Sequence, residues 1–310
     1  MVFKDLQKLM KDEASTFTLI LGTGYHAQTI GSESILSNWE VLLKKIDKNY
    51  VSTGFYLVDF EQLISRQMLK EPNTKLSRLN ASETEKEISK KLCNYLRKAQ
   101  NEALKSKKNN YVNGIFSPDK VSDVISLNFD TIAEEVCCMS AGIKKAIKKK
   151  SVFMSEKGGK LILNYWEVPF ESGKVIRFWY PHGSIHQKDK LKLGAREYAK
   201  QMSDIERLRR FSKKKEKDAK VPTSWYHRLV HNPVLILGAD LSMNEWDLWF
   251  AIVNRNRNFA KSEFREHKKP IFQMRESNDE KSHQNVWFRV LFEGMDYPKQ
   301  WDKLANILNQ

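Results

Sequence analysis

Four short stretches carry residue types whose spacing could do chemistry. Gly22-Thr23-Gly24 follows Phe17–Leu21, an apolar run of strand length. A glycine pair at the carboxyl end of a strand lets the backbone turn tightly, and its amides can face a phosphate when a helix follows. Ser126-Leu-Asn128-Phe-Asp130 closes a second run, Val121–Ser126. Asn128 offers one carbonyl acceptor and two amide donors, enough to position a water or a hydroxyl. Asn128, Asp130 and Thr131 would equally serve as helix N-caps. His182-Gly183 follows the β-rich run Lys174–Tyr180. An imidazole there titrates near neutrality and can act as a general base. Gly238-Ala-Asp240-Leu-Ser242 closes the apolar run Val234–Leu237, and His26 lies just beyond the first glycine turn. His186, His227, His231, His267 and His283 stand in no supporting pattern. No HxxxH or paired Cys/His spacing occurs, so no metal site is expected.

The elements that would position these loops alternate between strand and helix patterns. A helix is expected over 2–14, and apolar residues at helical spacing predict another over Ser34–Asn49. Within it, Trp39 is the kind of residue that anchors a core rather than stacks on a base. Further helices are expected over Phe55–Met68, Glu83–Lys107 (opened by a Ser82/Glu85 capping box), Ile132–Ile147, Ser203–Lys220, Glu245–Asn256 and Trp301–Leu308. Leu161–Val168 and Lys174–Tyr180 read as a hairpin or as consecutive strands, and Pro270–Met274 as one more strand. The alternation predicts an α/β fold: a Rossmann-like, mostly parallel sheet with helices on both faces and a smaller helical and hairpin insertion. Ligands in such sheets bind outside the carboxyl ends of the strands, where the four polar loops would converge. One domain is expected over 1–310, its motif-bearing core about 16–256, a helical insertion about 60–115 and a variable charged and hairpin region about 141–230.

The order of these loops resembles the sirtuin-type NAD-binding fold, and within it the sirtuin-like domains of bacterial anti-phage defence systems. Sirtuins carry a Gly-Ala-Gly turn after the first strand, a Thr-x-Asn-x-Asp-like motif, a catalytic His-Gly and a Gly-x-Ser-Leu-like loop. The counterparts here are Gly22-Thr23-Gly24, Ser126-Leu-Asn128-Phe-Asp130, His182-Gly183 and Gly238-Ala-Asp240-Leu-Ser242. Asn38-Trp39 and Trp246-Asp247 also look like the defence subfamily. Two departures matter: the chain cannot build the zinc module of two CxxC pairs, and Tyr25–Ser37 replaces a Gly-Ile-Pro-Asp-Phe-Arg-like loop. Both argue against histone-type deacylation, and the first against a bound zinc.

What the resemblance implies is an NAD hydrolase, with NAD as substrate and Asn128 and His182 as the catalytic pair. Gly22, Thr23 and Gly24 would hold the pyrophosphate through backbone amides. Gly238, Asp240 and Ser242 would bind ribose or phosphate, His26 would contact ligand, and Asp130 would accept from the nicotinamide amide. The implied role is an NAD-depleting effector of abortive infection, held in check by homo-oligomerisation or by a partner such as a HerA-like ATPase or a short Argonaute. Two other readings stay open here: a non-catalytic nucleotide-sensing module, and a sirtuin-type deacylase or ADP-ribosyltransferase.

Composition narrows the class further. In 310 residues, 16 Phe, 10 Tyr and 8 Trp suffice for a sizeable core. No apolar run reaches bilayer length, and 2–14 lacks the apolar centre of a secretory leader, so a cytoplasmic protein is expected. The three cysteines (Cys93, Cys137, Cys138) form no disulfide framework and read as apolar filler. The formal charge of +15 is concentrated in Lys144–Lys150 and Lys213–Lys220. Neither run is interleaved with aromatic residues, so direct nucleic-acid binding is not expected.

Overall fold

The computed structural model describes residues 2–12, 15–69, 81–106, 113–154, 160–187, 191–214, 223–239, 241, 244–260, 269–274, 287–292 and 295–309. The chain opens with α1 (Val2–Lys11) and β1 (Phe17–Leu21), then α2 (Gly24–Ile30), α3 (Trp39–Lys44), α4 (Tyr56–Leu69) and α5 (Ala81–Lys105). Next come β2 (Val121–Ser126), α6 (Ile132–Ser140), β3 (Ile147–Met154), β4 (Lys160–Pro169) and β5 (Val175–Trp179). The remainder is α7 (Ala195–Lys214), α8 (Trp225–His231), β6 (Val234–Leu237), α9 (Trp246–Phe259), β7 (Ile271–Met274), β8 (Arg289–Leu291) and α10 (Tyr297–Leu308).

The strands form one mixed sheet in the order β3-β4-β5-β2-β1-β6-β7-β8. From β5 to β8 every neighbouring pair is parallel; β3-β4 and β4-β5 are antiparallel. The fold is therefore α/β, with a mostly parallel sheet. Strand alternation divides the core into two layers. Phe17, Leu19 and Leu21 of β1 face the layer built with α1, α3 to α6 and α10, whereas Ile20 faces the layer of α7, α8 and α9. Both faces are thus covered, as a parallel sheet requires. The order runs outward from β1 through β2 to β5, then restarts on the other side of β1 with β6. This reversal is where a crevice opens at the carboxyl ends of the strands.

Several expected bounds shift for identifiable reasons. The helix expected over Ser34–Asn49 is only Trp39–Lys44, capped by Asn38, whose Oδ1 accepts from Val41 N at 3.2 Å. A separate helix, α2, precedes it and stops at Gly31, where φ is +96°. Ser82 is not a cap, because α5 already begins at Ala81. The helix expected to reach Ile147 ends at Ser140, ahead of Gly142 with φ +69°. Ile147 instead opens β3, paired with β4 from Ile147↔Glu167 to Met154↔Lys160. Lys148, Lys149 and Lys150 are thus exposed on an edge strand, where their charge opposes pairing with another chain. The helix expected from Ser203 starts eight residues earlier, at Ala195, and residues 215–220 of that expectation lie outside the described residues. Cys93, Cys137 and Cys138 are buried and form no disulfide among the described residues. Burial raises the Cys138 thiol to about 12, with the carboxylates of Glu134 and Glu135 adding to it. No helix among the described residues is long and apolar enough to cross a membrane.

Candidate active site

One cavity opens over the carboxyl ends of β1, β2 and β5. It takes in Thr23, Asn128, Asp130 and His182, together with Lys192, Tyr198, Asn244 and Glu245. Its empty space, open solvent at the mouth included, comes to about 690 Å³.

Of the first loop, only Thr23 lines this cavity. The amide of Gly22 donates to Leu237 O at 3.0 Å and that of Gly24 to Gly238 O at 2.8 Å. Tyr25 N–H returns to Gly22 O, and those of His26 and Ala27 to Thr23 O. The glycine amides expected to cradle a phosphate are therefore already engaged. Among the described residues the Thr23 amide alone in this turn makes no hydrogen bond. The glycines serve close packing instead. A Cβ on Gly24 would stand 2.6 Å from Gly238 Cα, and one on Gly238 would stand 2.5 Å from Tyr25 N. Gly238 also holds φ +65°, a conformation that L side chains rarely adopt. Gly24→Ala should consequently destabilise the unliganded protein by about 1–3 kcal/mol through overpacking, read as a lowered Tm. An unchanged Tm would mean that this glycine is not needed for packing.

Asn128 sits past the end of β2 and is buried. Its Nδ2 donates to Gly22 O at 3.1 Å, tying the second loop to the first. Its Oδ1 is sealed from solvent and has no donor among the described residues. A buried acceptor without a donor, in a residue that lines a cavity, is the kind of group that a water or a ligand hydroxyl satisfies. Asp130 combines two roles: Oδ1 accepts from Ile132 N at 3.0 Å in the manner of a cap, and Oδ2 lies 2.6 Å from His26 Nε2. His26 is fully buried behind Asp130 and does not line the cavity. Its expected ligand contact is corrected to support of Asp130. Thr131 is held by Gln100, whose Oε1 accepts its N–H at 2.8 Å.

His182 follows β5 in a turn that Gly183 completes with φ +83°. Its carbonyl accepts from Lys192 N at 2.8 Å, and its ring lies 5.0 Å from that of Tyr198. Nε2 stands 3.1 and 3.0 Å from the two carboxylate oxygens of Asp247, and 3.9 Å from Glu245 Oε2. Burial works against the imidazolium. It is the largest single effect, but the Asp247 charge, its hydrogen bond and Glu245 together outweigh it and raise the His182 pKa from an ordinary 6.5 to about 9. Burial works the other way on Asp247, but the His182 charge, its hydrogen bond and the Leu248 amide hold the carboxyl below its usual range. With Nε2 on the carboxylate, Nδ1 is the ring nitrogen left without a partner among the described residues.

Asp247, Glu245, Lys192 and Tyr198 are site residues that motif reading did not assign. Only Trp246-Asp247 stood out in the sequence, and nothing there linked it to His182. The ligating atoms of His182, Glu245 and Asp247 lie within 4.8 Å of one another, although no metal spacing joins them along the chain. Both oxygens of Asp247 are directed at Nε2, which makes this a proton-sharing pair. Burial lowers the pKa of Lys192, and its ammonium bonds Gln201 Oε1. Asp240 and Ser242, expected to bind ribose or phosphate, lie outside the described residues, as do His267 and His283. His186 sits elsewhere, 3.0 Å from Glu134 and stacked on Trp166. The sequence matches no family model and no curated protein.

Proposed function

We propose that this cavity is the active site of an NAD hydrolase of sirtuin-like architecture, cleaving the bond between nicotinamide and ribose. The observation that carries the reading is a buried, carboxylate-paired His182 sharing one cavity with Asn128, whose Oδ1 has no donor among the described residues, at the strand ends where α/β sheets bind ligands. Heterolysis of the bond sends its electron pair to the ring nitrogen, releasing neutral nicotinamide and leaving oxocarbenium character at the ribose carbon. Water then adds to that carbon and loses a proton, giving ADP-ribose. Asn128 Oδ1 would hold the water or a ribose hydroxyl in line. Neutral His182 would take the proton, oriented by Asp247. Asp130, kept in place by His26, would accept from the nicotinamide amide, and Thr23 would supply the amide nearest the pyrophosphate.

Depletion of NAD by such an enzyme is toxic to its host. An effector role in anti-phage defence, restrained by self-association or by an ATPase or Argonaute partner, belongs to the same reading and rests on the loop resemblance alone. The test is NAD turnover by the purified chain, with products separated chromatographically. Wild type should release equimolar nicotinamide and ADP-ribose. Asn128→Ala should be at least 100-fold slower, the order of loss when one positioned polar group is removed. Equal turnover by both proteins would overturn the site, and NAD left intact by a wild type that is non-toxic when expressed would overturn the activity.

A further inference from the structure

The two edges of the sheet are built differently. β8 is three residues long, and its Arg289 is neutralised by Asp5 of α1 at 2.7 Å. β3 is eight residues long and pairs with β4 from end to end without a register shift. It contains no proline. Short length, bulges and proline are common means of blunting an edge, and β3 uses none of them. What it carries is charge. Lys144, Lys145, Lys148, Lys149 and Lys150 are all exposed, and none forms an ion pair among the described residues. Beside them Ile147 is 48% exposed, and Ile162 of β4 is 46% exposed.

Strand alternation places the lysines on both faces of the sheet. Phe153 packs in the layer of α7, α8 and α9, so Ile147, Lys149 and Ser151 share its face. Lys148 is paired with Trp166, which belongs to the opposite layer, so Lys148, Lys150 and Val152 lie on that second face. Ile162 lies there too, opposite Val152. A polypeptide laid along this edge alternates its side chains in the same way and meets lysine on either face. A nucleic-acid strand laid against one face would meet only part of the charge and would leave the main chain of the edge unused. Like charge keeps a second copy of β3 away. A strand rich in carboxylates reverses the sign.

We infer that the β3 edge is a docking site for an acidic, extended segment of a partner polypeptide, which joins the sheet as a strand beside β3. Main-chain hydrogen bonds supply the binding, and Lys148, Lys149 and Lys150 select carboxylates on both faces. Ile147 and Ile162 offer the segment's apolar side chains a surface. β4 separates this edge from β5, the nearest strand beneath the cavity, so the inference stands apart from the hydrolase reading and neither falls with the other.

The experiment is fluorescence anisotropy of the full chain with a labelled peptide of repeating Glu-Glu-Thr-Val, which puts carboxylates on both faces of a strand. One control is the same peptide N-methylated at consecutive central residues, which keeps the charge and blocks both of its edges. The other is an oligothymidylate of equal charge. In about 0.15 M salt the unmodified peptide should bind at least tenfold tighter than either control. Combining Lys148→Glu, Lys149→Glu and Lys150→Glu should weaken its binding at least tenfold, as three cross-strand attractions become repulsions. A second readout needs no variant: the peptide should slow amide hydrogen exchange across Ile147–Met154 of the wild type. Absence of binding, or β3 exchange left unchanged, would overturn the inference. Equal binding of the N-methylated peptide would reduce the edge to a site of charge attraction alone and overturn strand addition. Tighter binding of the oligothymidylate would make the surface one for nucleic acid and overturn the choice of partner.

Discussion

His182→Ala is expected to lower kcat/KM for NAD by about 10³-fold, within the range that a positioned acid–base group supplies. The pH profile of the wild type carries more information than the loss itself. At neutral pH the free protein holds His182 as an imidazolium, because Asp247 keeps its pKa at about 9. A base that must first be neutral is therefore a minor species at pH 7. The expected kcat/KM rises about tenfold per pH unit from pH 6 and levels off near pH 9. Steady-state rates across pH 6 to 10 decide this. A profile flat through that window would remove His182 from the proton transfer. A rate falling above pH 9 would make it a general acid or an electrostatic clamp.

Asp247→Asn is expected to destabilise the protein by about 3 kcal/mol at pH 6, the scale of breaking one side of a buried ion pair. Its pH dependence follows from the two shifts. His182 is raised on folding, so its share of stability is complete below 6.5 and is lost as pH climbs through about 9. Asp247 is lowered on folding, so its share is present above its ordinary 3.8 and is lost in acid. Wild type should accordingly be most stable between about pH 4 and 6.5 as far as this pair is concerned. The gap between wild type and Asp247→Asn should narrow as pH rises past 9. Denaturant melts at pH 6 and pH 9.5 measure both. The rising limb of the variant's rate profile should also move down toward 6.5. A constant gap at both pH values would show that Asp247 acts through packing and not through the proton on His182.

Much of this architecture is legible from local pattern. Phe17–Leu21, Val121–Ser126 and Val234–Leu237 are strands at the predicted bounds; β1 and β6 are almost wholly apolar, as burial on both faces favours, whereas β2 carries Ser122, Asp123 and Ser126 among its apolar residues. The polar stretches that follow β2 and β5 do reach one cavity. What misled was competition between local patterns. Ile147 reads as the end of the helix that opens at Ile132 until β4 supplies an antiparallel partner. Gly22 and Gly24 read as a phosphate turn until the end of β6 and Gly238 beyond it close on them and take their amides.

The sequence by itself determined the layer order of this protein, since the period of its apolar residues decides strand or helix and the alternation of the two decides a parallel sheet. It also determined that Asn128 and His182 fall at strand ends. Only the tertiary structure decided which groups meet there. Asp247 reaches His182 across 65 residues, and His26 reaches Asp130 across 104. Such pairs have no sequence spacing, because the sheet's strand order, not the chain between them, sets their distance. The proton on His182 depends on that meeting, since a carboxylate 3.0 Å from a buried imidazole moves it further than any neighbour along the chain.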